Sequence, residues 1–429
     1  MKASELKAYI AKGCLDERLT DVYADASLTK GQRERYEKAV DKYLELYGDK
    51  EVEIYSAPGR TEVGGNHTDH QHGQVLAAAV NLDAIAIVSK TDDGIIKVVS
   101  DDFDIEPVNV NSPEKREEEE GSSEALIRGV AARIKEDGYK VGGFKAYMTS
   151  DVIVGAGLSS SAAFEVAIGT ILSGLYNDLS LDAVYIAKVS QYAENVYFGK
   201  PCGLMDQMAS SVGGLVNIDF ADVEEPVIRP VKVDFDAFGH SLCIVDTGAD
   251  HADLTDDYAA IPIEMHKVAE YFGKDFLKEV RPEEFLENIP DIRKSCGDRA
   301  VLRALHFYTD DARVSDEVKA LEDGDIELFK KLICDSGNSS FKHLQNVYSN
   351  RDINEQSVSL ALALTGEMLG EKAGYRVHGG GFAGTIQVFI PTELVDEYKT
   401  YIEKYFGEGS CHVLRIRKYG GMRVFKDIK

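Results

Sequence analysis

Basic side chains are in short supply: 48 lysines and arginines stand against 74 aspartates and glutamates, a formal charge of −26 over 429 residues. A surface of that sign repels phosphate backbones and anionic head groups, so nucleic acid and membrane are poor partners. A single nucleotide is not excluded, because it needs only a local nest of donors. Cysteine is also sparse. The six residues Cys14, Cys202, Cys243, Cys296, Cys334 and Cys411 include no Cys-x-x-Cys pair. In a chain of this length they do not make a disulfide framework, and free thiols in a reducing cytoplasm are expected. No run of eighteen uncharged apolar residues occurs, and the most apolar stretch, 75–88, is broken by Asn81 and Asp83. The opening residues, MKASELKAYIAKG, lack the apolar core of an export signal. A soluble, cytoplasmic chain is the expectation. Gly-x-x-x-x-Gly-Lys-[Ser/Thr] is missing too, which argues against a Walker-type nucleotidase, and no internal repeat is present.

What is present reads as two clusters of mixed structure. Residues 1–50 are helical and charge-rich, and 53–57 alternate into a short strand ended by Pro58-Gly59. Strands are predicted over 75–89 and 95–100, joined by the turn Asp92-Asp93-Gly94, and over 142–150. Helices are predicted over 124–137, from about 160, and over 181–197, with their apolar residues at helical spacing. A helix-dominated region follows from 261 to about 332, then a strand, a glycine turn and a strand within 371–391. Without a steady βαβ repeat, the pattern predicts an α+β fold. The length predicts two domains, divided near residue 235 into 1–235 and 236–429.

Four segments carry chemistry. Gly155-Ala156-Gly157-Leu158-Ser159-Ser160-Ser161 runs straight into an apolar helix. Glycines let backbone approach a ligand, and successive N–H groups at a helix start bind anions. A serine there could instead simply cap the helix. The segment 58–69 packs Arg60, Asn66, His67 and Asp69 into a glycine-rich loop, and such groups read hydroxyls by donating and accepting together. Gly203-Leu204-Met205-Asp206-Gln207 presents a carboxylate that could orient a hydroxyl or cap a helix. The fourth, 378–384, is a second glycine turn, weak on its own.

Taken in order, these segments resemble the GHMP kinases, and among them the galactokinases, over roughly residues 53–391. The family's first motif, PGRVNLIGEHTDYNGG, reads PGRTEVGGNHTDHQHG here; GxGLSSSAS reads GAGLSSSAA; CGIMDQ reads CGLMDQ; GGGFGG reads GGGFAG. The resemblance implies a two-domain GHMP kinase fold with its active site in the cleft between domains; a monomer is expected, with the oligomeric state left open by the sequence. It implies a galactokinase that uses ATP and Mg²⁺ to phosphorylate the anomeric hydroxyl of galactose. Asp206 would be the catalytic carboxylate, and Arg60 would stabilise the transferring phosphoryl group. Residues 155–161 would cradle the phosphates, while Ser160 or Ser161 and Glu194 would hold the metal. Asn66, His67, Asp69, Gly203 and Tyr258 match sugar-contacting positions.

The departures bear on the sugar. The family has glutamate, reading the carbon-6 hydroxyl, where this chain has Asn66, and Thr61-Glu62-Val63-Gly64 replaces Val-Asn-Leu-Ile. An asparagine would not repel a carboxylate, which leaves galacturonate or another sugar open as the substrate. Two other readings stay open. One is a non-catalytic, galactokinase-like sugar sensor. The other is a metal-dependent hydrolase using His67, Asp69, His70 and His72, where His70-Gln71-His72 mimics a His-x-His ligand pair.

Overall fold

The computed structural model describes residues 1–101, 105–153, 155, 157–233, 235, 237–248 and 254–426. Three helices open the chain, α1 (Ala3–Ala11), α2 (Asp16–Tyr23) and α3 (Thr29–Tyr47). Strands β1 (Glu53–Gly64), β2 (Gln74–Lys90), β3 (Ile95–Ser100) and β4 (Val108–Asn109) follow. Next come α4 (Ser123–Glu136), β5 (Phe144–Ser150), α5 (Ser160–Tyr176), α6 (Ala183–Tyr192), α7 (Met205–Val212), β6 (Leu215–Asp219) and β7 (Val227–Val231). These strands form an eight-stranded sheet of order β12-β1-β2-β5-β3-β4, in which β6 also pairs with β2 and with β7. Its edge strand β12 (Met422–Phe425) comes from the far end of the chain.

The second sheet has four strands in the order β11-β8-β10-β9. They are β8 (His240–Asp246), β9 (Gly374–His378), β10 (Thr385–Pro391) and β11 (Cys411–Leu414). Helices α8 (Thr255–Tyr271), α9 (Pro282–Cys296), α10 (Asp298–Glu322) and α11 (Ile326–Ser339) separate β8 from β9, with α12 (Ser357–Leu369) before β9 and α13 (Val395–Phe406) before β11. The architecture is α+β with two sheets. Among the described residues, no helix is long and apolar enough to cross a membrane.

Alternation along β1 and β2 explains why the large sheet is covered on both sides. Ile54, Ile85 and Ile87 face α1–α3, while Tyr55, Ala84, Ala86 and Val88 face α4–α6. A third apolar cluster joins the halves: Val63, Leu76 and Leu158 from the first meet Ile244, Phe389, Val318 and Phe329 of the second.

One local expectation needs correction. β1 does not stop at Pro58-Gly59 but runs on to Gly64, with its register shifting between Pro58 and Arg60. A proline donates nothing to a ladder, yet a register shift absorbs it, and the longer strand carries Arg60 to the cleft. The turn 92–94 joins β2 to β3 as predicted, and the two strands do not pair with each other. β5 lies between them, antiparallel to β2 and parallel to β3.

Candidate active site

Where the two halves meet, a cleft of about 270 Å³ is lined by Arg60 from β1, Ser159–Ser161 at the start of α5, Asp206 from α7, and the turn between β9 and β10. At its centre Arg60 grips Asp206 with two parallel bonds, Nε donating to Oδ1 (2.7 Å) and Nη2 to Oδ2 (2.6 Å). Its third arm, Nη1, donates to the Gly157 carbonyl. Ser159 Oγ donates to Asp206 Oδ2 at 2.7 Å. Burial alone would raise the Asp206 carboxyl; the Arg60 charge and these hydrogen bonds outweigh it and hold the group below the usual carboxylate range. Asp206 therefore stays ionised. It lies in the first turn of α7 and does not cap it, since the N-cap position is Leu204.

The turn before α5 is built as an anion cradle. Gly155 (φ 81°), Gly157 (φ 68°) and Ser159 (φ 56°) are all left-handed, which bends the backbone tightly over the helix start. Ala156 lies outside the described residues. Leu158 anchors the turn: its side chain is fully buried, and its carbonyl accepts from Arg60 N at 3.0 Å. No side chain caps α5, because the Ser159 hydroxyl is turned to Asp206. The first N–H groups of that helix are thus left for an anion, with the helix dipole behind them.

Beside the turn, Ser161 Oγ donates to Glu194 Oε1 at 3.4 Å. Glu194 is brought there by a π-helical turn, Ala193–Phe198, that extends α6. Gln207 Nε2 donates to Glu194 Oε2 (2.7 Å) and to Glu165 Oε2 (3.2 Å), and Lys200 Nζ stands 3.5 Å from Glu194 Oε1. Glu165 is completely buried; burial first, then the charge of Glu194, holds its carboxyl well above the ordinary range. Serine and glutamate oxygens are the hard donors that Mg²⁺ selects, so the pair Ser161 and Glu194, with Ser160 alongside, fits that ion.

Of the residues predicted to contact a sugar, Tyr258 lines the cleft, His67 reaches the glycine turn beside it, and Gly203 abuts Asp69. A side chain at position 203 would put Cβ 2.1 Å from Asp69 Oδ2, so the glycine gives that carboxylate its place. His67 (φ 59°) donates from Nε2 to the Gly380 carbonyl at 3.0 Å, and burial lowers its pKa to about 3, so the ring is neutral. Tyr258 donates to the Gly381 carbonyl at 2.7 Å and packs edge-on against Phe382. The remaining imidazoles go elsewhere: His70 stacks on His67 and His72 on Phe276. Among the described residues, no three His, Cys, Asp or Glu side chains converge as a metal-holding group, which leaves the hydrolase reading without a ligand set there.

Asn66 departs from expectation. It is 0% exposed, and its amide hydrogens go to Glu62 Oε1 (3.0 Å) and the Gly379 carbonyl (2.8 Å). Its carbonyl oxygen accepts from Ser340 Oγ (3.2 Å) and Asn346 Nδ2 (2.8 Å). Two donors and two lone pairs are the whole capacity of an amide, so nothing is left for a sugar. The galacturonate alternative rested on this side chain and loses its footing. Sequence reasoning assigned no role to Gln207, Glu165 or Lys200. Gln207 was within reach, since it ends the CGLMDQ segment. The other two are brought in only by folding.

Comparison with known proteins agrees with the geometry. Residues 125–214 match the GHMP kinases N terminal domain, and residues 41–90 match the galactokinase galactose-binding signature. The chain is 31% identical to the galactokinase of Streptomyces coelicolor over 378 residues, covering 88% of this chain and 94% of that protein. It is also 31% identical to the galactokinase of Actinobacillus pleuropneumoniae serotype 3, covering 85% and 92%. The fold matches the crystal structure of Lactococcus lactis galactokinase complexed with galactose at a TM-score of 0.77 and 23% identity, over 89% of this chain and 98% of that one. Methanococcus jannaschii mevalonate kinase shares the fold at a TM-score of 0.59 and 17% identity, over 85% and 98%.

Proposed function

This chain belongs to the galactokinase family of the GHMP kinases, and on that footing we propose that it transfers the γ-phosphoryl group of ATP to the anomeric hydroxyl of galactose. One observation carries the reading: Arg60, Asp206 and Ser159 are bonded together at the uncapped start of α5. Phosphoryl transfer asks a protein mainly for positioning and for charge where charge develops. The N–H groups of α5 and of the turn before it hold the phosphates. Arg60, pinned between Asp206 and the Gly157 carbonyl, keeps a positive charge where the phosphoryl group passes. Asp206 accepts the hydrogen bond of the attacking hydroxyl and orients it. With its pKa held low it is a weak base, so it takes the proton only as the new P–O bond acidifies that hydroxyl.

Ser161 and Glu194, with Ser160, would hold Mg²⁺, which neutralises charge on the phosphate oxygens when bound. Gln207 keeps Glu194 turned toward Ser161. His67, Asp69, Gly203 and Tyr258 form the sugar end, the neutral His67 ring and the Asp69 carboxylate being suited to reading hydroxyls.

Release of ADP, followed with galactose, N-acetylgalactosamine, galacturonate, arabinose, fucose and mevalonate, tests the proposal. Galactose is expected to be turned over best, and Asp206→Ala to lower kcat by about 10²–10³-fold. Full activity in that variant sinks the role of Asp206. Galactose binding with no ADP release by the wild type instead supports the sensor reading.

A further inference from the structure

The residues in which the first motif departs from its family do not face the cleft. They face the second half of the molecule. Glu62 pairs with Arg376 of β9, both buried, and its backbone carbonyl accepts from Gln387 Nε2 of β10 at 3.0 Å. The same Gln387 nitrogen donates to Thr61 Oγ1 at 2.7 Å, and Thr61 Oγ1 lies 3.0 Å from His378 Nε2. Gly64 is the space that Glu317 of α10 needs, since a Cβ there would come within 1.8 Å of Glu317 Oε2. Asn66 completes the set.

These contacts fasten β9 and β10, the strands that flank the turn Gly379–Gly381, and Asn66 reaches the turn itself. Three consecutive glycines leave a backbone with little preference of its own, and here Gly379 (φ 66°), Gly381 (φ 84°) and Phe382 (φ 59°) are all left-handed. Each carbonyl of the turn is gripped by a side chain. Asn66 Nδ2 holds Gly379 O, Asn346 Nδ2 (3.1 Å) and His67 hold Gly380 O, and Tyr258 holds Gly381 O. Asn346 also accepts from Phe382 N through its own backbone carbonyl and donates to Asn66 Oδ1. The two side chains proposed for the sugar end, His67 and Tyr258, therefore take their positions from a turn that Asn66 and Asn346 fix.

We infer that Asn66, together with Asn346, is a positioning clamp on the Gly379–Gly381 turn, setting His67 and Tyr258 at the sugar end of the cleft without touching the sugar. This rests on the kinase reading above. It also implies that discrimination at carbon 6 is made by other groups.

The test is Asn66→Asp in the full chain, assayed with galactose and with fucose, its 6-deoxy relative of opposite hand, alongside 6-deoxy-D-galactose. Aspartate keeps the size and still accepts from Ser340 and Asn346. It cannot donate to Glu62 or Gly379, and it sets one carboxylate against another. KM for galactose is expected to rise about tenfold or more, with the kcat/KM ratio of galactose to 6-deoxy-D-galactose unchanged within about twofold. Adding Glu62→Gln, whose amide can donate to the new carboxylate, relieves the charge clash but returns no donor to the Gly379 carbonyl, so the rise in KM is expected to persist.

A KM within twofold of the wild type overturns the clamp. A galactose-to-6-deoxygalactose ratio shifted fivefold or more also overturns it, since residue 66 would then read the sugar. A KM that Glu62→Gln returns to within twofold of the wild type assigns the loss to the clash with Glu62 and not to the turn, and overturns the clamp as well. If Asn66→Asp does not fold, Asn346→Asp removes donors from the same turn and carries the same expectations on KM and ratio. A wild type that does not phosphorylate galactose removes the kinase reading instead, so the two failures are distinguishable.

Discussion

At the scale of single residues, the site depends on where side chains are absent as much as on where they are present. Gly203 abuts Asp69 so closely that a methyl group would sit 2.1 Å from Oδ2. That oxygen is the free end of a rotatable side chain, so Gly203→Ala is expected to fold and to push the Asp69 carboxylate aside. KM for galactose should then rise about tenfold while the thermal midpoint barely moves, which steady-state kinetics and a melting curve check together. The sequence made Gly203 and Asp69 visible as parts of two separate motifs, and their contact across 134 positions is a product of folding. Asn66 shows the opposite case. The residue was conspicuous in the sequence as a departure, but its partners Asp310, Ser340, Asn346 and Gly379 lie 244 to 313 positions away. A local pattern could not reveal that its amide was already spent.

At the scale of elements, α5 is the clearest case. Its apolar spacing and the Gly-Ser run before it made the helix and its start legible, because both signals are local. What Ser159 does was not legible. An N-cap serine ordinarily contributes about 1 kcal/mol to its helix. Here the hydroxyl is turned to Asp206, and no cap bond exists. Ser159→Ala is accordingly expected to cost the hydrogen bond to Asp206 and not a helix cap. It should lower kcat about tenfold, the loss expected for one hydrogen bond to a charged group. A drop in stability of the capping size with unchanged kcat would contradict the assignment. β1 teaches a related point. Pro58-Gly59 reads as a stop when the neighbouring strand is unseen, yet pairing with β2 carries the strand through to Arg60 with a shifted register.

At the scale of the whole molecule, the chain is closed by one buried cluster. Asp83, 0% exposed in the middle of β2, accepts from Arg35 of α3 (2.7 Å), Arg417 near the C-terminus (2.7 Å) and Tyr23 of α2 (2.9 Å). Burial raises its carboxyl, but the two guanidinium groups outweigh that and hold it below the ordinary value. The sign follows from linkage: a depressed pKa in the folded state adds stability above the unfolded value near 4, and loses it as pH falls through the folded one. Asp83→Asn leaves the buried Arg417 without its charge partner and Arg35 with only Asp151, so a loss of about 3–5 kcal/mol at pH 7 is expected. The gap to the wild type should narrow as pH falls below about 4, where the unfolded chain's carboxyl takes a proton first and the native one only at lower pH. Denaturant unfolding at the two pH values measures both. By itself the sequence determined the α+β class, most of the longer helices and strands, and the contiguous segments that meet at the cleft, since these are written in short-range periodicity and in contiguous residues. Only the tertiary structure decided that β5 separates β2 from β3, that β12 returns to the first sheet, and that Asn66 faces the glycine turn and not the cleft. Each of these depends on contacts between distant parts of the chain, whose energies no local stretch records.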